Sequence, residues 1–454
     1  MKTTKYISIL ILLLTLSFVA CNDKLNIEPE QNLSPEAATE SASNVKKILN
    51  NIYAVARDNN SYGGIIQSAS ELIGNTGDIT WNGTYTQPAE FNEKAMLADN
   101  SYVSSIWLNA YDVSNQANIV LASLDVFTDN DEKAVAEGEA KFLRGLAYFD
   151  LGRFFAKPYI AGSANSQLAA PIVLTAVMDA STIDFPSRKT LDEIYTQVIA
   201  DLTSAYSLLP ESNDVYATKY SAAALLARVY LDKGDYENAR TMANDVIGNS
   251  GASLTTTFAA AFNNSQNSDE DLFAWQVTSQ DASWNALNEF WAGRDFGGRT
   301  GNPDVPINAQ HFTIYDDPND ARSQFFYTTS RGTATTKWQY QYGNIPFLRL
   351  AEMYLIRAES NFRKGTSIGD TPLNDINELR LRANASLFSS VNLATILMER
   401  KRELAFEGFA LFDAKRLGQN VGSIPFNADR LVMPIPLREM DVNPNLVQNE
   451  GYGN

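Results

Sequence analysis

The sequence predicts a mainly α-helical fold, a frame of paired helices that carries a loop-rich, aromatic-bearing lobe with a few short strands. Three observations predict it. Apolar residues recur at helical spacing through much of the chain, as in Val45, Ile48, Leu49 and Ile52. Three times a small residue is followed by an aromatic residue three or four positions on and a glycine seven on: Gly145, Tyr148, Gly152; Ala227, Tyr230, Gly234; Ala358, Phe362, Gly365. Two stretches, 59–97 and 250–345, lose this periodicity and fill with Gly, Asn, Ser, Thr and aromatics; they are too long to be plain connections in a compact domain.

The chain opens with Lys2 and Lys5, then an almost continuous apolar run from Ile7 to Leu16, then Ala20 and Cys21. The run is too short for a permanent span, so 1–20 reads as a cleaved signal peptide. Cys21 is the only cysteine in 454 residues. A small-residue cleavage site ending on cysteine is similar to a bacterial lipoprotein signal, which implies that Cys21 is acylated and becomes the mature N-terminus. Residues 21–39 then form the lipidated end and a polar, aperiodic tether. Ser34-Pro35-Glu36 reads as a helix start, with Ser at the N-cap and Pro at N1. It leads into a helix over 40–58. Further amphipathic helices are expected over 98–124, 132–156, 190–209, 217–232, 235–248, 346–364, 371–383 and 392–416. Asp129-Asn130-Asp131-Glu132 reads as the cap that opens the helix over 132–156. In each small–aromatic–glycine repeat the glycine is expected to close a helix before a second begins, most clearly at Lys233-Gly234-Asp235-Tyr236. That unit resembles the tetratricopeptide helix–turn–helix. A tetratricopeptide-like frame (40–58, 98–249 and 346–418) and the lobe (59–97 and 250–345) would make one composite domain over 40–454.

Composition is ordinary for a globular chain, at 44% hydrophobic and 20% charged residues. The formal charge is −17, and removing Lys2 and Lys5 with the signal leaves 34 basic against 53 acidic residues. That argues against nucleic acid, which needs clustered Lys and Arg. No second apolar stretch approaches the roughly 18 residues of a span, so lipid is the expected membrane anchor. An acylated Cys21 leaves no thiol for disulfides or metal. A single histidine, His311, argues against zinc hydrolysis and His-based triads.

Four blocks in order carry a family resemblance. They are Glu139-Ala140-Lys141-Phe142-Leu143-Arg144-Gly145; Leu348-Arg349-Leu350-Ala351-Glu352-Met353-Tyr354; Arg402-Glu403-Leu404-Ala405-Phe406-Glu407-Gly408 with Asp413, Arg416 and Gly418; and Pro434-Ile435-Pro436-Leu437-Arg438-Glu439 with Asn443-Pro444-Asn445 and Gly451-Tyr452. With Cys21 they resemble SusD/RagB-type outer-membrane lipoproteins of Bacteroidetes over essentially the whole mature chain. The resemblance implies a non-catalytic protein at the cell surface that captures a nutrient, usually a glycan. It would pass it to a TonB-dependent transporter barrel of the SusC type. A peptide-capturing lipoprotein of the same architecture, a protein-docking scaffold and a glycoside hydrolase are the alternatives. Glu403 and Glu407, four apart on one helix face, are the carboxylate pair a hydrolase would use. Partly buried charges need partners, however, and pairing of Arg402, Glu403, Glu407, Asp413 and Arg416 among themselves or with backbone is the expectation.

Sugars present apolar C–H faces and a rim of hydroxyls, which flat aromatic rings and polar side chains cover respectively. Five of the six tryptophans, Trp81, Trp275, Trp284, Trp291 and Trp338, fall in the two loop-rich stretches. The predicted ligand residues are Trp81, Asn82 and Tyr85 in one loop, and Trp284, Asn288, Trp291 and Arg294 in another. A helix over 283–292 would align Trp284, Asn288 and Trp291 as a ledge. Trp107 and Trp275, in apolar periodic runs, are assigned to the core; Trp338, with polar flanks, fits either role. Gly297-Gly298-Arg299-Thr300-Gly301 opens no strand–helix unit, so it does not read as a phosphate cradle. Asp316-Asp317-Pro318-Asn319-Asp320 is the one run that could take Ca2+; no other cofactor or metal is expected.

Overall fold

A computed structural model describes residues 35–280, 285–301 and 303–453. Cys21, most of the tether and Trp284 lie outside the described residues. In chain order the helices are α1 (Pro35–Thr39), α2 (Ala42–Ala56), α3 (Ile65–Ile73), α4 (Thr86–Glu93), α5 (Ser101–Ala122), α6 (Asn130–Phe155), α7 (Leu191–Leu208), α8 (Lys219–Lys233), α9 (Tyr236–Asn249), α10 (Ala286–Trp291), α11 (Leu350–Lys364), α12 (Pro372–Arg382), α13 (Leu393–Leu404), α14 (Ala410–Leu417) and α15 (Leu437–Val442). The strands are β1 (Asp271–Trp275), β2 (Phe326–Thr329), β3 (Gly332–Thr335) and β4 (Ile345–Arg349). They form two antiparallel pairs, β1 with β4 and β2 with β3. Among the described residues no helix is long and apolar enough to cross a membrane.

Helices α5 to α9 pack each on the next, and α11 and α12 continue from α9. Their caps follow the sequence. Asp129 accepts from the N–H groups of Asp131 and Glu132. Thr190 and Thr218 close capping boxes on α7 and α8. Gly234 and Gly365 end α8 and α11 at φ 77° and 65°, where a side chain would be strained.

Four expectations need correction. Gly152 closes nothing; it lies inside α6. With Gly138 and Gly145 it makes a stripe seven apart that faces α7. A Cβ at Gly145 would come within 3.0 Å of Leu202 Cγ, and one at Gly152 within 3.1 Å of Ile194. The glycines are there for close approach of two helices, not for a turn. The start read at Ser34 gives only the short α1; the chain breaks, and Ser41 caps α2 by accepting from Asn44 N–H. The helix read over 392–416 is two helices, because Phe406 and Gly408 adopt φ 68° and 93°. Glu71 accepts hydrogen bonds from Gly408 and Phe409 N–H at 2.8 and 3.0 Å, so tertiary contacts override the local periodicity. The residues read as the start of the helix at 346 are instead strand β4.

One core cluster runs from Val45 to Leu446 and draws Trp275, Trp291 and Trp338 from the loop-rich stretches. Beside it lies a buried ionic layer. Arg349 reaches Glu403 at 3.2 Å and Glu407 at 2.8 Å, and Lys337 reaches Glu407 at 2.6 Å. Arg322 pairs with Asp320, Glu399 and Glu403, and Arg382 with Glu270 and Glu403.

Candidate functional site

The loop between α3 and α4 is shaped by its own side chains. Asn75 Oδ1 accepts from Gly77 N–H at 2.8 Å, and Asn75 Nδ2 donates to the Ile79 carbonyl at 2.7 Å, an Asx-type turn. The next residues line up antiparallel to 304–308: Asn308 N–H donates to Asp78 O, Thr80 N–H to Pro306 O and Asn82 N–H to Asp304 O. This pairing carries Trp81 and Tyr85 onto Phe290 of α10. The Trp81 and Phe290 rings meet edge to face at 5.7 Å, and those of Tyr85 and Phe290 at 6.1 Å.

Arg299 completes the group. Its guanidinium lies 3.7 Å from the Tyr85 ring centroid, a cation–π contact. It is held there by Asp304 at 2.6 Å and Thr84 Oγ1 at 3.1 Å. Burial raises the Asp304 carboxyl, and Arg299 pulls the other way. Tyr85 is 38% exposed and Asn82 is exposed; Trp81 is half-buried and its indole N–H has no partner. Further along the same turn Arg294 and Phe296 are exposed, and the Phe296 ring meets Tyr327 at 5.0 Å. The result is an open surface of aromatic rings flanked by guanidinium and amide groups. Such a surface suits a neutral polyol with apolar C–H faces.

The structure brings Trp81, Asn82 and Tyr85 together and leaves Arg294 in solvent. It contradicts the ledge. Trp291 is fully buried, with its N–H on Ser68 Oγ at 3.0 Å and its ring 5.4 Å from Phe406. Asn288 is buried too, donating to the Phe296 and Trp338 carbonyls. Ala286, Leu287, Asn288, Phe290 and Trp291 of α10 are all buried, so the short helix is enclosed on nearly every side and has no outer face to carry a ledge. Trp107, Trp275 and Trp338 are also buried, leaving Trp81 the one described tryptophan that is not. Phe290, Arg299, Phe296 and Tyr327 were missed. Only Arg299 left a trace, in the glycine-rich run that reads as no phosphate site.

The remaining chemistry is structural. Burial alone would raise the Glu403 carboxyl, yet Arg382, Arg349 and Arg322 hold it at about 2. Glu407 is likewise lowered against burial by Arg349 and Lys337. Both are locked in ion pairs rather than poised for proton transfer, and most of their partners lie outside their own block. Asp413 and Arg416 do pair with each other, and Arg416 adds Glu359. The acidic run at 316–320 does not fit calcium. Asp316 is taken by Arg380 and Arg402, Asp317 by Ser386 and Asp320 by Arg322. Among the described residues no group of three or more acidic, His or Cys side chains could hold a metal ion.

Known proteins agree with this architecture. A family model described as starch-binding associating with outer membrane matches residues 25–231, and the SusD family model matches 200–423. The chain belongs to the SusD/RagB family. SusD-like protein P2 of Formosa agariphila is 28% identical over 521 residues, covering 98% of this chain and 99% of that one. The starch-binding protein SusD of Bacteroides thetaiotaomicron is 34% identical over 150 residues, 27% of this SusD-like chain and 26% of the relative. A SusD superfamily protein of the same organism has a crystal structure that matches with a TM-score of 0.81 at 25% identity, over 90% of this chain and 99% of that one.

Proposed function

We propose that this SusD-like protein is a non-catalytic, cell-surface glycan-binding lipoprotein, anchored through acylated Cys21. It would hand its ligand to a TonB-dependent transporter of the SusC type in the outer membrane. The observation that carries the glycan reading is the exposed Tyr85 ring braced between Phe290 and Arg299, beside half-buried Trp81 and exposed Asn82. The starch-binding name of a relative and of a matching family supports a sugar ligand. The lipoprotein signal ending at Cys21 supports the anchor. The ionic partners that occupy Glu403 and Glu407 support a binding rather than a hydrolytic role.

The test is affinity electrophoresis of the soluble mature form, starting at residue 22, through gels holding plant, fungal and host polysaccharides. One glycan should retard the parent protein. Tyr85→Ala and Arg299→Ala should lose about 1–3 kcal/mol of binding, as removal of a stacking or hot-spot contact does, with melting temperature nearly unchanged for the exposed Tyr85. Migration unaffected by every glycan, or equal retardation of parent and both variants, would overturn the assignment.

A further inference from the structure

Of the five aromatic rings that stand exposed among the described residues, three, Tyr85, Phe296 and Tyr340, lie on the loop-rich lobe. Tyr85 belongs to the candidate site. Phe296 and Tyr340 make a second aromatic group beside it.

That second group is held as firmly as the first. Residues 293–298 fold into one tight turn: Phe296 and Gly298 N–H both donate to the Gly293 carbonyl, and Gly297 N–H donates to the Arg294 carbonyl. The Phe296 ring meets Tyr327 edge to face at 5.0 Å. Tyr327 is fixed in its turn, because its hydroxyl accepts from Gly293 N–H at 2.7 Å. Gln341 lies against the same turn; a Cβ at Gly297 would come within 3.2 Å of its side-chain oxygen. Tyr340 and Tyr342 flank Gln341 in sequence, and their rings lie 6.5 Å apart at 90°. Asn263 Oδ1 accepts from Tyr340 N–H at 2.9 Å and holds that backbone. Rings beside amides are the surface that a sugar takes, here as at Tyr85.

The two groups are joined. The Arg299 guanidinium lies over Tyr85 at 3.7 Å. Arg299 follows Phe296 by three residues, so their Cα atoms are at most about 11 Å apart. Apolar side chains exposed singly are ordinary surface. Two sets of braced rings, one turn apart, are not single. Bracing also fixes the rings before a ligand arrives, which lowers the ordering cost of binding.

We propose that this lobe binds a glycan chain several sugar residues long, lying across both groups, with Tyr85 in one subsite and Phe296 and Tyr340 in a second. The inference rests on the glycan reading above and adds the length of chain that the site selects. A disaccharide meets one subsite at a time. A longer chain already held at Tyr85 meets the second as an intramolecular event, so its affinity exceeds that of either subsite.

The test uses the full soluble mature chain and whichever panel polysaccharide retards it. Partial acid hydrolysis of that polysaccharide gives a ladder from the disaccharide upward, and titration calorimetry measures each member. Affinity should climb with length to a plateau, by about tenfold or more. Phe296→Ala and Tyr340→Ala remove exposed rings, so folding should survive. Each should lose about tenfold on the long members and far less on the disaccharide, whereas Tyr85→Ala should weaken every member. The second subsite is overturned, with the glycan reading left standing, by affinity that is flat from the disaccharide upward, by long-chain binding unchanged in both variants, or by equal losses on short and long members. If no polysaccharide retards the chain, the glycan reading falls and the second subsite falls with it.

Discussion

Glu71 lies at 6% exposure where α3 meets the break between α13 and α14. Burial pushes its carboxyl from 4.5 up to about 7, although the N–H groups of Gly408 and Phe409 pull it down. The folded chain therefore holds a proton that the unfolded chain releases between those two values. The stabilisation is complete below the unfolded pKa of 4.5 and is lost as pH rises through about 7. Glu71→Gln keeps an oxygen for the two N–H donors and cannot ionise. It should melt close to the parent near pH 4.5 and above it near pH 8, by at most about 3 kcal/mol. Thermal melts of both proteins across that range check this; curves that stay parallel would mean that Glu71 carries no such burden. Trp291 and Tyr85 make the complementary point. Both are aromatic residues in loop-rich sequence, yet one is sealed against Phe406 and Ser68 and the other faces solvent. Composition does not distinguish them; their places in the fold do, Trp291 on a helix buried on nearly every side and Tyr85 at the cap of α4.

At the scale of elements, the glycine stripe of α6 sets how closely it approaches α7. Gly145→Leu would drive a branched side chain into Leu202 and Asp201. The cost should be about 1–3 kcal/mol, the usual range for overpacking, and a urea midpoint measures it. An unchanged midpoint would show that the two helices can part freely. The long helices were legible because periodicity and caps agree: Asp129, Thr190, Thr218, Gly234 and Gly365 each act where local sequence places them. The short lobe helices α3 and α4 were not, and α10 was anticipated within 283–292 but with the wrong face outward. The nine residues of α3 are all buried, polar Gln67, Ser68, Ser70 and Glu71 included, and an apolar period of only two turns inside a Gly- and Asn-rich stretch is too short to stand out. The site was half legible for a related reason. Trp81, Asn82 and Tyr85 are neighbours in sequence, whereas Phe290 and Arg299 join them only through the pairing of 78–82 with 304–308.

For the whole molecule, the buried ionic layer is the joint between frame and lobe. Glu403 of α13 meets Arg349 at the end of β4, Arg382 of α12 and Arg322 of the lobe. Glu403→Gln leaves three buried guanidiniums short of a counter-charge and should cost about 3–5 kcal/mol. Tryptophan fluorescence and far-ultraviolet dichroism should shift to lower guanidinium together; separate midpoints would mean that frame and lobe unfold independently. The segment after α14 ties the molecule a second time. Met433 N–H donates to Phe154 O, Leu437 N–H to Ala98 O, and Arg188 reaches the Val447 and Asn449 oxygens. Residues 433–449 are synthesised long after the helices they fasten. The early half of a nascent chain thus emerges without its clasp and gains it only through contacts hundreds of residues apart, which makes folding a late and slow event.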